Sequence, residues 1–278
     1  MTFSARPRKR LGQHWLRNEA ILGKIVEAAQ LSNLDCILEI GPGTGILTQK
    51  LLAQAGMVIA VELDQNLCHQ LRHQFSSADN FLLISGDILQ LDLAQQLLSH
   101  PHVQLPQKVV ANIPYYITGP ILEKLLGTIV EPNPTPFESI VLLVQQEIAE
   151  RLSANPGSKI FGALSVKVQY LADCEIICAV PPKAFHPPPK VSSAVVRLRP
   201  RQFHPVAQDP KQLQKLIKLG FANKRKMLRN NLASVIERSQ LLTMLDDLGI
   251  LENVRAEDLS VAHWVALSNK MLEKHPHS

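Results

Sequence analysis

Leu38-Glu39-Ile40-Gly41-Pro42-Gly43-Thr44-Gly45 is the stretch on which the fold turns. An apolar run, Cys36-Ile-Leu-Glu-Ile40, ends in glycines at alternate positions. Glycine lets a backbone turn sharply and approach a ligand where a side chain would clash. A helix-like segment, 45–55, follows at once, and its first amide N–H groups have no partner within the helix. A strand, a glycine-rich turn and a helix in direct succession open a βαβ unit. A dinucleotide site would place its third glycine where Ile46 stands, so the turn is built for a different ligand.

Strand-like runs recur downstream: Met57-Val-Ile-Ala-Val61, Phe81-Leu-Leu-Ile84, Lys108-Val-Val-Ala111 and Ile140-Val-Leu-Leu-Val144. Helix-like segments alternate with them at 20–30, 64–76, 118–129 and 145–153. Near-continuous apolar runs suit strands covered by helices on both faces. The rhythm predicts an α/β fold, a doubly wound Rossmann-like open sheet. Two later strands, 174–180 and 191–198, are joined by Pro181-Pro-Lys-Ala-Phe-His-Pro-Pro-Pro-Lys190. That link is too proline-rich for a helix and too short for a crossover, so these strands are expected to be antiparallel. Pro200, Pro205 and Pro210 punctuate a linker, and the pattern is helical from Lys211 onward. The chain therefore reads as two domains, 1–204 with the sheet and 205–278 all-helical.

The 278 residues are 46% apolar and 19% charged, a composition able to bury a core. No apolar run nears the roughly 20 residues of a membrane span. No apolar stretch follows the basic N-terminal residues, which argues against a secretory signal. A soluble, cytoplasmic protein is expected. Its net charge of +5 is unevenly spread. Residues 1–18 carry Arg6, Arg8, Lys9, Arg10 and Arg17 and no acid. Residues 210–236 carry Lys211, Lys215, Lys218, Lys224, Arg225, Lys226 and Arg229 and no acid. The two clusters hold 12 of 29 basic residues and leave 17 against 24 acids elsewhere. They are either solvated faces or a docking surface for a polyanion. Cys36, Cys68, Cys174 and Cys178 form no C-x-x-C pair and read as small buried hydrophobes. His69 and His73 share helical spacing, but nothing completes a ligand set, so no metal is expected.

Three strand ends carry chemistry. Glu62 closes the second strand, 21 residues after Gly41, where an acid takes ribose hydroxyls in doubly wound nucleoside sites. An S-adenosyl ligand has a ribose and no pyrophosphate, which suits the altered turn. Asp87, in Ser85-Gly-Asp87-Ile, can accept from an adenine's exocyclic amine or cap the next helix. Asn112-Ile113-Pro114-Tyr115 follows the fourth strand. The exocyclic nitrogen of adenine is a weak nucleophile because its lone pair is delocalised into the ring. The Asn112 side-chain oxygen and the Ile113 carbonyl can hold its two N–H groups, while Pro114 fixes the turn. Tyr115 offers a flat surface to a base taken out of its stack. Phe185 sits among prolines, and either sandwiches that base against Tyr115 or plugs the core.

Taken together, these residues resemble the ribosomal RNA adenine dimethyltransferase family, and the likeness runs almost end to end. Arg8-Lys-Arg-Leu-Gly12-Gln-His-Trp-Leu16 is similar to the family's basic lead, with His14 and Trp15 replacing the commoner Asn and Phe. The resemblance implies a class I methyltransferase: a mostly parallel seven-stranded sheet, last strand antiparallel, with a small helical C-terminal domain. It implies S-adenosyl-L-methionine as cofactor, bound by His14, Leu16, Gly41, Gly43, Gly45, Glu62, Asp87 and Asn112. Asn112, Ile113, Pro114, Tyr115 and Phe185 would then serve the target base. Arg8, Lys9, Arg10, Lys190, Lys224, Arg225, Lys226 and Arg229 would contact RNA. Phe221-Ala-Asn-Lys-Arg-Lys-Met-Leu-Arg-Asn-Asn-Leu232 looks most like the branch acting on small-subunit RNA, so immature 30S particles and a monomeric enzyme are expected. Competing readings are a non-catalytic ribosome assembly factor, a large-subunit RNA or DNA adenine methyltransferase, and a nicotinamide oxidoreductase. The intact Asn112–Tyr115 quartet weighs against the first, and Ile46 against the last.

Overall fold

A computed structural model describes residues 7, 8 and 12–274. In chain order the elements are β1 (Trp15–Leu16), α1 (Glu19–Ala29), β2 (Cys36–Ile40), α2 (Ile46–Leu52), β3 (Met57–Glu62), α3 (Gln65–Gln74) and β4 (Phe81–Ser85). Then come α4 (Leu93–Leu97), β5 (Lys108–Asn112), α5 (Thr118–Leu126), β6 (Ser139–Gln145), α6 (Gln146–Leu152), α7 (Ala163–Leu171) and β7 (Ala172–Val180). β8 (Phe185–His186), β9 (Ser193–Pro200), α8 (Pro210–Gly220), α9 (Leu228–Asn231), α10 (Arg238–Asp247) and α11 (Val261–Lys274) complete the described chain.

Seven strands form one sheet in the order β4-β3-β2-β5-β6-β9-β7. From β4 through β6 every neighbouring pair is parallel, and β9 runs antiparallel to β6. All of β2 is buried, as is β6 up to Val144, which is why their sequences are almost unbroken apolar runs. The chain steps from β2 outward to β3 and β4, then returns to lay β5 on the other side of β2. That reversal between β2 and β5 is the switch point at which open α/β sheets bind ligands.

β1 and β8 form a small antiparallel pair, with Leu16 opposite Phe185 and Trp15 opposite His186. The 181–190 link is thus more ordered than its prolines imply. It makes a 3-10 turn at Pro182–Ala184 and then a short strand. Pro181 and Pro182 suit such a start, because neither N–H would have a partner there. The link also settles Phe185. Its ring is 5% exposed and lies in the core with Leu16, Leu22 and Val195. The expected base-sandwiching role is corrected: Phe185 plugs the core, because pairing with β1 turns its side chain inward.

The chain divides into two compact units. The first comprises Met1–Leu125, Thr135–Ala149 and Glu175–Pro200; the second comprises Leu126–Pro134, Glu150–Cys174 and Arg201–Ser278. The second unit takes in α7 and the segment 126–134, although both precede the linker at 200–210. α7 packs with α8 and α11. Tyr170 at its end stacks on Phe203 at 5.5 Å, and the Arg201 guanidinium lies over the same ring.

Within this unit the helical pattern expected from Lys211 onward is interrupted over residues 221–227. α8 starts on a good cap, Asp209 accepting from Lys211 and Gln212, and ends at Gly220, where a Cβ would stand 2.3 Å from the buried Trp264 ring. Asn231 then donates to the Gly220 and Asn223 carbonyls and holds 221–227 as a turn. Side-chain hydrogen bonds to helix-end carbonyls compete with continuation of the helix. Phe221 meets Trp264 at 5.6 Å, and Leu228 and Leu232 are fully buried, so these residues anchor the segment.

Candidate active site

The carboxyl ends of β2 to β5 stand in one row. Parallel register pairs Ile40 with Val61 and Ala111, and Glu62 with Ser85. The residues at and just beyond these ends therefore face one cleft. Gly41, Gly43, Glu62, Asp87 and residues 112–116 line it, together with residues 12–16.

Gly41 and Gly43 have φ of 67° and 60°, a region that L side chains rarely adopt. A Cβ on Gly41 would meet nothing, so backbone is exposed to a ligand there, while one on Gly43 would press on the Trp15 indole at 3.3 Å. Gly45 answers to packing instead. A Cβ there would come within 2.7 Å of the Phe75 ring and 3.0 Å of Leu71, and Gly45 does not line the cleft. Glu62 is 5% exposed; its Oε2 accepts from Gly43 N–H at 3.1 Å and its Oε1 from Asp64 N–H at 2.8 Å. Burial raises its pKa and those two bonds oppose the rise. A carboxylate offers about four acceptor sites, so lone pairs remain for further donors. Asp87 Oδ1 accepts from Leu89 N–H at 2.9 Å, so the residue caps a turn and also borders the cleft.

Glu39 lies inside β2 and is 1% exposed, yet it borders the cleft. Burial pushes its carboxyl up to about 8, and the Glu62 charge adds to the rise. Its Oε2 has no hydrogen-bond partner among the described residues.

The amide of Asn112 is held in one orientation. Its Nδ2 donates to the His14 carbonyl at 3.1 Å. A carbonyl only accepts, so the nitrogen must be the atom on that side, and Oδ1 is left as an acceptor. His14 Nδ1 donates in turn to the Pro187 carbonyl at 2.8 Å, and its ring stacks on Tyr115 at 5.9 Å and 16°. Tyr115 Oη lies 2.6 Å from Ser193 Oγ on β9. Burial raises the Tyr115 pKa, the Ser193 bond opposing, so the ring stays a neutral phenol. Ile113, the next residue of the turn, is 1% exposed.

The basic residues expected on RNA are distributed differently. Lys190, Lys224, Arg225 and Lys226 are exposed. Arg8 pairs with the buried Asp64 at 3.1 Å, and Arg229 donates to the Glu252 carbonyl at 2.8 Å. Lys9 and Arg10 lie outside the described residues. Sequence reasoning missed Ser193 and the fixed orientation of Asn112, since both depend on partners far along the chain. It also missed Tyr116, whose signal was a second tyrosine directly after the quartet.

The sequence pattern of the ribosomal RNA adenine dimethylases matches residues 4–273. The chain belongs to this ribosomal RNA adenine dimethylase family. A ribosomal RNA small subunit methyltransferase A of Trichormus variabilis is 61% identical over 264 residues, covering 95% of this chain and 97% of that one. Its namesake in Nostoc punctiforme is 60% identical over 272 residues, covering 96% and 95%. Among solved structures, a dimethyladenosine transferase from Plasmodium falciparum superposes with a TM-score of 0.79 at 27% identity, covering 94% of this chain and 98% of that one. The 23S rRNA methyltransferase ErmE gives 0.72 at 26%, covering 92% and 98%.

An adenine dimethylase needs a methyl donor, and the cleft fits a nucleoside carrying an amino-acid tail. Gly41 presents bare backbone, Glu62 keeps free lone pairs, and the orphaned Glu39 Oε2 would meet a donor group. No helix of the described chain is long and apolar enough to cross a membrane.

Proposed function

We propose that this enzyme transfers methyl groups from S-adenosyl-L-methionine to the 6-amino groups of two adjacent adenosines near the 3′ end of small-subunit (16S) rRNA, within immature 30S particles. It acts in the cytoplasm as a monomer. The family membership and the 60–61% identical small-subunit methyltransferases support the substrate class. The fixed amide of Asn112 is the observation that carries the chemistry.

S-adenosylmethionine, when bound, supplies an electrophilic methyl carbon on a sulfonium centre. Glu62 would take its ribose hydroxyls, Asp87 its adenine amine, and the Gly41–Gly43 backbone its amino-acid tail. Toward the target base, Asn112 Oδ1 accepts one amine hydrogen and the Ile113 carbonyl the other. Two acceptors draw the amine toward a tetrahedral geometry in which its lone pair leaves the ring. Tyr115, held by Ser193 and backed by His14, gives the extruded base a fixed plane. Catalysis then rests on positioning and aligned dipoles. The exposed Lys190, Lys224, Arg225 and Lys226 supply phosphate contacts, those three on residues 224–226 from the 205–278 helical region that we assign to RNA binding.

The test is methyl transfer into immature small subunits, read by mass mapping of the rRNA. Asn112→Ala should abolish or greatly slow transfer and leave particle binding nearly intact, because affinity comes from many phosphate contacts. Near-normal turnover in Asn112→Ala would refute the acceptor role.

A further inference from the structure

We infer that Tyr116 is the stacking platform for the nucleotide adjacent to the target adenosine. The inference rests on the proposed reading of the cleft as an adenine-methylating site.

Two consecutive tyrosines leave β5, and the fold gives them opposite duties. Tyr115 is half-buried, and its hydroxyl is bonded to Ser193. Tyr116 is 60% exposed and borders the same cleft. Its position is not that of a loosely held surface residue. It lies inside the 3-10 turn Tyr115–Ile117, whose end is closed by Thr118 N–H and Thr118 Oγ1, both donating to the Tyr115 carbonyl. One edge of its ring is backed by Gly12. At φ 59° a Cβ on that residue would stand 3.3 Å and 3.4 Å from Tyr116 Cδ1 and Cε1. Gly12 itself belongs to the acid-free basic lead of the sequence.

Chemistry on a base requires taking it out of its stack, which also strips one face of its neighbour. A rigid aromatic ring at the cleft mouth replaces that lost stacking. Aromatic rings serve any base in this way, because every base has a π-face. The occupant is therefore the base next to the one extruded toward Asn112, read by stacking and not by its hydrogen-bonding edge.

The experiment uses the full chain with Tyr116→Ala, Tyr116→Phe and Tyr116→Trp. Methyl transfer into immature small subunits is measured as separate kcat and KM. Binding is followed on a single-stranded RNA in which 2-aminopurine neighbours the target adenosine, since stacking quenches its fluorescence. S-adenosylhomocysteine calorimetry reports whether the cleft is intact in each variant. Tyr116→Ala should raise KM and weaken RNA binding roughly ten-fold, change kcat little and lose the quench, while Phe and Trp retain all three properties. Wild-type KM in Tyr116→Ala, or a quench that survives in it or is absent from the wild-type protein, overturns the inference alone. Failure of the wild-type protein to methylate the particles overturns the proposed function and this inference with it.

Discussion

Asn112 has its donor committed to the His14 carbonyl, which leaves Oδ1 free for the acceptor role proposed above. The same logic of committed partners extends to Tyr115. Its hydroxyl reaches Ser193, which is fully buried on β9. Ser193 touches neither donor nor base in this reading and acts as a positioning residue. Ser193→Ala should lower kcat about two- to ten-fold, the value of one neutral hydrogen bond at ~0.5–1.5 kcal/mol, with S-adenosylhomocysteine affinity unchanged. Tyr115→Phe should show the same defect, and the double variant no more than either, since one bond is lost in all three. Additive losses would mean that Ser193 acts elsewhere. Glu39 couples the stability of the fold to pH. Its carboxyl titrates at an ordinary 4.5 when unfolded and at about 8 when folded, burial being the main cause. Between those values the folded chain keeps a proton that the unfolded chain has lost, so this group's contribution to stability falls as pH rises. Thermal melts of the cofactor-free protein should therefore show Glu39→Gln gaining on the wild type as pH rises through that window. A pH-independent difference would contradict the buried, proton-holding acid.

At the scale of elements, the glycine turn serves two purposes. Gly41 and Gly43 give the cleft its bare backbone, whereas Gly45 lets the start of α2 sit against Leu71 and Phe75 at the end of α3. Gly45→Ala combines a φ of 78° with a Cβ 2.7 Å from the Phe75 ring. It should destabilise the fold by about 1–3 kcal/mol, the usual range for overpacking. Urea unfolding measures this directly, and a variant as stable as the wild type would show that Phe75 yields freely. The β1–β8 pair matters at the same scale. It ties residues 14–16 to the 185–187 link, and through His14 it orients the amide of Asn112. A two-residue strand is too short to announce itself in sequence, since no alternation can develop over two positions.

Across the whole molecule, positive charge is concentrated while the rest of the chain is acidic. Lys224, Arg225 and Lys226 occupy an exposed turn between α8 and α9, so they project from a bend and not along a helix face. A bend suits the irregular backbone of folded RNA. Reversing charge with Arg225→Glu and Lys226→Glu should weaken binding to immature small subunits and flatten its salt dependence. Each lost phosphate contact removes about 0.7–0.9 from the slope of log affinity against log salt. S-adenosylhomocysteine binding should be unchanged, because the cleft proposed to hold it is lined by the first unit. Unaltered salt dependence would move RNA docking away from this turn.

Buried strands alternating with covering helices, and hence the sheet, were legible in the chain alone. The sequence also placed Gly41, Glu62, Asp87 and Asn112 at successive strand ends, because parallel strands of similar length align those ends without further information. These are local signals: periodicity, glycine spacing and turn chemistry act over a few residues. Tertiary structure decided what depends on distant partners. Phe185 went inward because it pairs with Leu16, far away in the chain. Gly45 became a packing residue because Phe75 lies against it, and the basic stretch broke into a turn because Asn231 ties down the Gly220 and Asn223 carbonyls. α7 joined the C-terminal helices by packing with α8 and α11. In each case the competing conformations satisfy the same local pattern, and only burial against a residue remote in sequence separates them in free energy.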